Sequence, residues 1–180
     1  MNSIFEERLY KKIQQGISGA TPGVMVQVYQ TGKKICDIAV GDNYAYYDLA
    51  SLTKVIFTTQ AMMKLYQDSK WNAKTKVSDI LSWFPFQDTL ITELLNHSSG
   101  LYWWRPFYRE INISQTIPDR WKQAATLIAA SPFEKTDQST YSDLGFMTLA
   151  FVIEALSGKN IYEYWLEICN LFYPRLSFEF

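Results

Sequence analysis

The sequence lacks the features that mark several classes of protein. Among 180 residues there is one histidine, and 17 basic side chains nearly balance 18 acidic ones. This balance gives no electrostatic reason to expect nucleic-acid binding, which requires a basic surplus. No apolar run approaches the roughly 18 residues of a membrane span, and the N-terminus, MNSIFEERLYKK, contains no apolar signal-peptide core. We expect a cytoplasmic protein with neither nucleic-acid nor membrane partners.

Cysteine is also scarce, which limits thiol and metal chemistry. Cys36 and Cys169 lie far apart, and neither forms a CxxC spacing or another metal-ligand spacing with His97. In a cytoplasmic protein such cysteines are usually reduced and buried in packing. A zinc site made of the three residues is open by ligand type alone, and we predict no metal.

The apolar fraction of 48% is enough for a sizeable core in one domain, residues 1–180. Two β-branched runs around Thr31-Gly32 predict an antiparallel hairpin over 24–40. Apolar spacing predicts helices elsewhere, apart from an ordered aromatic loop at 101–118. The predicted helices cover 3–16, 51–70, 76–83, 91–96, 119–130, 143–157 and 160–172, with Gly158 as a C-cap.

The tetrad Ser51-Leu52-Thr53-Lys54 stands at the start of the long predicted helix. A serine there lies at the positive end of the helix dipole, which stabilises a developing oxyanion. A lysine three residues later lies on the same helix face, so its amine can reach the serine hydroxyl. Partial burial and the dipole would lower the pKa of that amine, which favours a base. The alternative is an N-cap serine with a solvated lysine, and the tetrad alone favours that alternative.

Two further segments precede a predicted helix or a turn. Tyr141-Ser142-Asp143 stands ahead of the helix at 143–157, where Ser142 or Asp143 can act as a cap. A tyrosine near a lysine ammonium can also share its proton and act as a general base. His97 lies before a Ser-Ser-Gly turn, and a lone histidine in that position is more often structural than catalytic.

Together these segments resemble the N-terminal half of the serine β-lactamase and penicillin-binding-protein family, in the branch of class C enzymes, DD-peptidases and esterases. The resemblance is carried, in the family's order over about residues 20–178, by PGVMVQVYQTGKKICDIAVG, YDLASLTKV, ITELLNHSSGL and YSDLGFMTLAFVIEALSGKNIYEYW. It implies an α/β (α+β) fold of the β-lactamase/transpeptidase type, in which a helical layer accompanies an antiparallel sheet. It implies no metal and no cofactor.

The resemblance also implies roles for individual residues. Ser51 would be the acylated nucleophile, with its backbone N–H as an oxyanion donor, and Lys54 would be its proton acceptor or electrostatic partner. Tyr141 would be the base or proton relay, Asp143 would orient Lys54 and the substrate amide, and His97 would be structural. The implied function is a serine hydrolase that forms an acyl-enzyme with a small ester, amide or β-lactam. The alternative is a catalytically degenerate module that serves as a binding or assembly protein, with Trp103, Trp104, Phe107 and Tyr108 as its anchors.

The sequence departs from the family after Tyr141-Ser142-Asp143, which we call the tyrosine motif. The Lys/His-x-Gly tripeptide that follows on a later strand in the family has no counterpart here, so the chain looks truncated and its sheet incomplete. Loss of the oxyanion donor on that strand would cost about 10²–10³ in rate. The hairpin would also expose its edges and an apolar face of Val24, Val26, Val28, Ile35 and Ile38. We therefore expect these strands to pair with a second copy of the chain or with a separate C-terminal half.

Overall fold

The computed structural model describes residues 3–173, which form two compact units that divide between Leu49 and Ala50. The first unit contains one helix and two strands, and the second contains helices and turns. Among the described residues no single helix is long and apolar enough to cross a membrane; the last two helices pass that test only as a pair, with a bend of 85° between them. The prediction of one domain over residues 1–180 stays a prediction.

The predicted hairpin is confirmed in the first unit. Strands β1 (Gly23–Gln30) and β2 (Lys33–Gly41) pair in antiparallel fashion and are joined by Thr31 and Gly32. These two residues have φ angles of +49° and +77°. Positive φ at both central positions of a two-residue turn matches the twist of the flanking strands. Glycine adopts that conformation without steric cost, so Gly32 is the residue that this turn requires.

Helix α1 (Ser3–Ile17) covers the apolar face of the hairpin. The helix contributes three partly buried side chains, Leu9, Ile13 and Ile17. They pack against a buried strand cluster formed by Cys36, Ile38 and Val40. The expectation that this face needs strands of another chain as a cover is therefore wrong, because an amphipathic helix of the same unit removes these side chains from water.

Cys36 rather than Ile35 completes the buried face of β2, and Ile35 lies in a β-bulge beside it. Val28 pairs with Cys36 and Tyr29 pairs with Lys34, so Ile35 is the extra residue between two pairs. Cys36 is 3% exposed, whereas Ile35 is only half-buried. The prediction that Ile35 lies in this apolar face is corrected: Cys36 occupies the position, because alternate residues of a strand share a face and Cys36, Ile38 and Val40 are two positions apart.

The outer edges of the hairpin have no partner strand among the residues that the structure describes. Unpaired edge N–H and C=O groups are a template for pairing with another chain, and a two-stranded sheet is marginal alone. We still expect these edges to pair with a second copy or with a separate C-terminal half. Size-exclusion chromatography with light scattering at micromolar concentration should give a mass of at least two chains. A monodisperse monomer with a cooperative melt would contradict this prediction.

The second unit is helical. Its first helix opens with a π-helical turn (Lys54–Thr58) and continues as α2 (Thr59–Gln67). A 3-10 turn follows at Val77–Asp79. The remaining helices are α3 (Ile91–Leu95), α4 (Phe107–Glu110), α5 (Ile117–Ala129), α6 (Asp143–Ser157) and α7 (Ile161–Phe172). The combination of helices with an antiparallel sheet agrees with the predicted α/β (α+β) class.

Helix α6 lies at the centre of the core of the second unit. It packs against α2, α3, α5 and α7, and its residues Leu149, Val152 and Ile153 are fully buried. The Ser142 Oγ accepts the N–H of Gly145 at 3.1 Å, and Gly158 ends the helix with a φ of +70°. The predicted helix 143–157 with its Gly158 cap is confirmed, because both end signals act locally. Ser142, which caps α6, is also part of the tyrosine motif. The packing of α6 in the core therefore fixes that motif in place.

The segment 76–83 is not the helix that its apolar spacing predicts. The N–H of Val77 donates to the carbonyl of Thr89 at 2.9 Å, and Lys76 forms an isolated β-bridge with Leu90. These long-range bonds use the backbone groups that would otherwise begin a helix. Within the predicted loop 101–118, a short helix (α4) begins after Pro106, which the sequence analysis did not predict.

Candidate active site

Ser51 lies in the turn that leads into the first helix of the second unit. The N–H of Thr53 donates to the carbonyl of Ala50, and the N–H of Lys54 donates to the carbonyl of Ser51, each at 3.1 Å. Ala50 has a φ of +44°, which is uncommon for a residue other than glycine. Backbone conformations of this kind cluster at functional sites, where the surrounding structure holds them. The turn places Ser51 directly ahead of the helix, where the sequence predicts it.

A π-helical turn fixes the backbone of Lys54. The carbonyl of Lys54 accepts the N–H of Thr59, five residues later, and also the Thr59 hydroxyl at 2.8 Å. Single π-turns within α-helices are rare overall, and those that occur are often found at functional sites. The two bonds hold the residue from which the predicted catalytic amine projects.

Three of the predicted site residues converge. The Tyr141 hydroxyl oxygen lies 2.7 Å from the Ser51 Oγ, and the Lys54 Nζ lies 3.3 Å from the same oxygen. Ser51 and Tyr141 are 90 positions apart in the sequence, so their contact depends on how α6 packs. Tyr141 is 49% exposed and Ser51 is also exposed, which leaves the two hydroxyl groups accessible to a small molecule.

Asp143 holds Lys54 through an ion pair, with 2.6 Å between Oδ1 and Nζ. The two side chains are only 16% (Lys54) and 29% (Asp143) exposed. Burial lowers the pKa of Lys54, but hydrogen bonds to Asp143 and Tyr141 and their charges outweigh burial and hold the pKa above its ordinary value. The expectation of a lowered pKa is therefore wrong, because the carboxylate stabilises the ammonium. Lys54 is a cation at neutral pH.

Two aromatic rings also lie close to the Lys54 ammonium. Its Nζ lies 5.0 Å from the ring centroid of Tyr141 and 5.6 Å from that of Phe146. Both distances are within the range of cation–π attraction, which adds to the stabilisation of the charged form. The sequence analysis did not single out Phe146. Its position three residues after Asp143, on the same face of α6, is the signal that identifies it.

His97 connects its own turn to the tyrosine motif. Its Nδ1 accepts the backbone N–H of Ser142 at 3.1 Å, and its carbonyl accepts the N–H of Thr140 at 2.9 Å. The imidazole also lies against Tyr141, with 4.6 Å between ring centroids. The residues on both sides of Tyr141 are thus bonded to His97. The structural role that the resemblance implies for His97 is specified further: it positions the Tyr141 segment.

His97 should titrate below its ordinary pKa. Burial lowers the pKa of His97, and the nearby Lys54 charge lowers it further, while Asp143 and the Ser142 hydrogen bond act in the opposite direction. Below pH 6.5 the unfolded chain binds a proton more readily than the folded chain, so stability should fall as the pH falls through this range. Because the sequence has one histidine, its C2 proton gives a single NMR titration curve. The midpoint should lie below 6.5.

A matched variant tests the same contact. His97→Asn keeps a hydrogen-bond acceptor but does not titrate, so its stability should depend less on pH between 7 and 5. A His97 midpoint at or above the ordinary value, or an unchanged pH dependence in the variant, would show that the imidazole is not held in this bonded, neutral form.

Backbone groups of the aromatic loop also hold the tyrosine motif. The N–H of Asp143 donates to the carbonyl of Trp103 at 2.8 Å, and the Ser142 hydroxyl donates to the carbonyl of Tyr102 at 2.9 Å. These residues therefore border the site through their main chain. Side-chain patterns cannot reveal such contacts, which is why the sequence analysis missed them.

No group of three or more possible metal-ligating side chains occurs within the described part of the chain. Cys36 and Cys169 are buried free thiols, in agreement with the predicted packing role. Burial raises the pKa of both thiols, which opposes formation of the thiolate that binds metals.

Several known proteins are similar to this chain in sequence or in fold. N-acetylmuramyl-L-alanine amidase of Bacillus subtilis is 28% identical over 83% of this chain and 40% of its own length. Penicillin-binding protein 4* of the same organism is 31% identical over 63% of this chain and 26% of its own length. Among solved structures, a D-stereospecific amidohydrolase from Streptomyces has a TM-score of 0.69 at 19% identity, over 92% of this chain and 52% of that protein.

A class C β-lactamase from Rhodobacter sphaeroides also superimposes, with a TM-score of 0.65 at 14% identity over 92% of this chain and 48% of that enzyme. These likenesses confirm the predicted β-lactamase/transpeptidase-type fold. The chain spans about half the length of these solved structures and less than half the length of the two curated relatives. The Beta-lactamase family model matches residues 5–167, and the chain accordingly belongs to the β-lactamase family.

Proposed function

We propose that the protein is a serine hydrolase that forms an acyl-enzyme at Ser51. The observation that carries the proposal is the position of the Ser51 Oγ, 2.7 Å from a phenol oxygen and 3.3 Å from an ammonium nitrogen. A serine hydroxyl is a weak nucleophile unless neighbouring groups remove its proton or stabilise its charge. The family relationship supports the same conclusion, since its relatives include an amidase and a teichoic acid D-alanine hydrolase of Staphylococcus aureus.

Tyr141 is placed to relay the proton. When the Ser51 oxygen attacks a carbonyl carbon, Tyr141 accepts the serine proton and gives its own phenolic proton to the leaving oxygen or nitrogen. In the second half-reaction water attacks the acyl carbon, its proton passes to Tyr141, and the phenolic proton returns to the Ser51 oxygen. This relay requires no net change in the charge of Tyr141, and a positioned acid–base group typically contributes about 10²–10⁴ in rate.

Lys54 acts as an electrostatic partner rather than as the base. Its ammonium is held by Asp143 at 2.6 Å, and its raised pKa opposes loss of the proton. A fixed cation beside the attacking oxygen stabilises the negative charge that develops on that oxygen. The Ser51 N–H serves as an oxyanion donor. Asp143 orients Lys54, and we assign it the contact with the substrate amide as well.

The exposure of the site suits a small substrate. Ser51 is exposed and Tyr141 is 49% exposed, so a small molecule can reach both hydroxyl groups from solvent. We propose a small ester, amide or β-lactam as substrate. We also propose a cytoplasmic location. A small ester or amide is then a more accessible substrate than a cell-wall polymer, because the cell wall lies outside the cytoplasm.

Covalent labelling tests the proposal directly. We expect a serine-reactive fluorophosphonate or a fluorescent penicillin to add one label per chain, detected by the mass of the intact protein. Ser51→Ala should abolish the label. Ser114→Ala, a change at an exposed serine in the turn before α5, should leave it intact. Equal labelling of Ser51→Ala and the unaltered protein would refute the nucleophile assignment.

One observation favours the alternative, a non-catalytic binding or assembly module. Trp103 and Trp104 are 51% and 40% exposed, and their rings stack with 5.9 Å between centroids. Of the other two predicted anchors, Tyr108 is exposed, but the prediction for Phe107 is wrong, because its side chain is buried. Exposed, rigid aromatic rings are the residues that anchor protein interfaces. The same experiment separates the two functions: a folded chain that takes up no label at Ser51 would favour the binding module.

A further inference from the structure

An apolar groove lies on the second unit, between α4, α5 and α6. It has a volume of about 570 Å³ and is lined by Phe107, Ile111, Trp121, Met147 and Phe151, among others. This volume is within the usual range for sites that hold a small molecule. At its rim Tyr108, Ile113 and Ile117 are 68%, 76% and 71% exposed. Large apolar side chains that remain exposed around one depression mark a binding surface.

One charged residue, Arg120, also lines this groove. Its Nε is buried and has no hydrogen-bond partner among the described residues. A buried, unsatisfied polar group costs free energy, and in native proteins such a group usually has a ligand, an ion or water as its partner. A guanidinium matches the planar geometry of a carboxylate through two parallel hydrogen bonds.

The neighbouring carboxylates are already engaged. Glu110 of α4 binds Arg105 through both of its oxygens. Glu154 of α6 accepts the Trp121 indole N–H and the backbone N–H of Ile161. Arg120 is therefore a cation that faces an apolar groove, with the carboxylates of the flanking helices held by other donors.

From this combination we propose that the groove binds an amphipathic carboxylate with a single hydrocarbon chain, in the manner of a medium-chain fatty acid. The chain lies along the apolar residues of α4, α5 and α6, and the carboxylate pairs with the guanidinium of Arg120. None of Ser51, Lys54, Tyr141 and Asp143 lines the groove, so this site is distinct from the proposed catalytic centre. The inference therefore does not depend on hydrolase activity.

Decanoate, below its micelle concentration, is the probe. In protein labelled with ¹³C-methyl methionine, the Met147 methyl resonance, identified by its loss in Met147→Leu, should shift and saturate. Affinity should increase about tenfold from octanoate to decanoate, since each buried methylene contributes about 0.8 kcal/mol. Decan-1-ol, which lacks the charge, should bind at least tenfold more weakly than decanoate.

Matched variants test the anchor. Arg120→Met should weaken decanoate binding by at least tenfold while leaving decan-1-ol binding unchanged. Lys122→Met removes a cation from the same helix outside the groove and should change neither. If Arg120→Met does not fold by circular dichroism, Arg120→Lys provides the test and should bind decanoate more weakly than the unaltered protein. Ser51→Ala should bind decanoate normally.

Steric filling of the groove gives a second test. Ala150→Trp, at a lining residue of α6, should abolish binding of both probes, whereas Ala155→Trp, at an exposed position of the same helix, should not. The proposal is overturned if decanoate does not shift Met147 or if decan-1-ol binds as tightly as decanoate. It is also overturned if Arg120→Met affects both probes equally; the groove would then be an apolar surface for another partner, such as a protein segment.

Discussion

Replacement of Tyr141 by phenylalanine should lower kcat/KM for hydrolysis of p-nitrophenyl acetate by about 10²–10⁴-fold. The substitution removes the phenol oxygen that lies 2.7 Å from the Ser51 Oγ and so interrupts the proposed proton relay. It retains the aromatic ring that packs against His97 at 4.6 Å. Because the ring remains, the thermal stability should change little. A large loss of rate without a loss of stability would identify the oxygen as the functional group.

Tyr102→Phe is the matched control for this experiment. Tyr102 also borders the tyrosine motif, but it does so through its backbone carbonyl, which accepts the Ser142 hydroxyl at 2.9 Å. Removal of its phenol oxygen should therefore leave the rate within about twofold of the unaltered protein. If Tyr141→Phe hydrolyses the ester as fast as Tyr102→Phe does, Tyr141 is not the proton relay.

Lys54→Met should reduce both activity and stability. The substitution leaves the Asp143 carboxylate, 29% exposed, without the ammonium that holds it at 2.6 Å. Loss of one partner of a fully buried pair costs about 3–5 kcal/mol. Solvent screens this partly exposed pair, so we expect a smaller destabilisation, about 1–3 kcal/mol in denaturant unfolding. Hydrolysis should fall by at least the roughly 10²–10³-fold that removal of one charge-stabilising group costs.

A double variant separates the two effects. In Lys54→Met/Asp143→Leu neither charge remains buried alone, so the free energy of unfolding should recover toward that of the unaltered protein. Activity should stay as low as in Lys54→Met, because the cation beside Ser51 is still missing. Recovery of activity together with stability would show that Lys54 only supports the fold.

The pH dependence of this ion pair follows from the raised pKa of Lys54. The stabilisation is fully present below 10.5, the ordinary pKa of lysine, and is lost as the pH rises through the folded value. Between about pH 8 and 9, where His97 is neutral in both proteins, the difference in stability between Lys54→Met and the unaltered protein should therefore be constant. A difference that shrinks within this range would indicate a neutral amine in the folded protein.

The sequence was sufficient for elements whose ends depend on neighbouring residues. The helix at 143–157 is predicted by an apolar run between Ser142 and Gly158, and the structure places it at Asp143–Ser157. The hairpin follows from two β-branched runs around Thr31-Gly32, whose positive φ angles allow a two-residue turn. Caps and tight turns involve residues within a few positions of each other, so their signals can be read without a tertiary structure.

The sequence was insufficient where distant groups compete for the same backbone. The predicted helix at 76–83 does not form, because the backbone of Val77 bonds to that of Thr89. The cover provided by α1 was also missed, because the apolar residues of that helix do not indicate which surface they bury.

The candidate site shows the same division between local and distant effects. The resemblance to the family pointed to Ser51, Lys54, Tyr141 and Asp143, whereas the tetrad alone favoured an N-cap serine with a solvated lysine. The protonation of Lys54 could not be predicted, since it depends on a carboxylate 89 positions away that outweighs the effect of burial. The contact between Ser51 and Tyr141 likewise exists only because the packing of α6 brings together groups that are 90 positions apart.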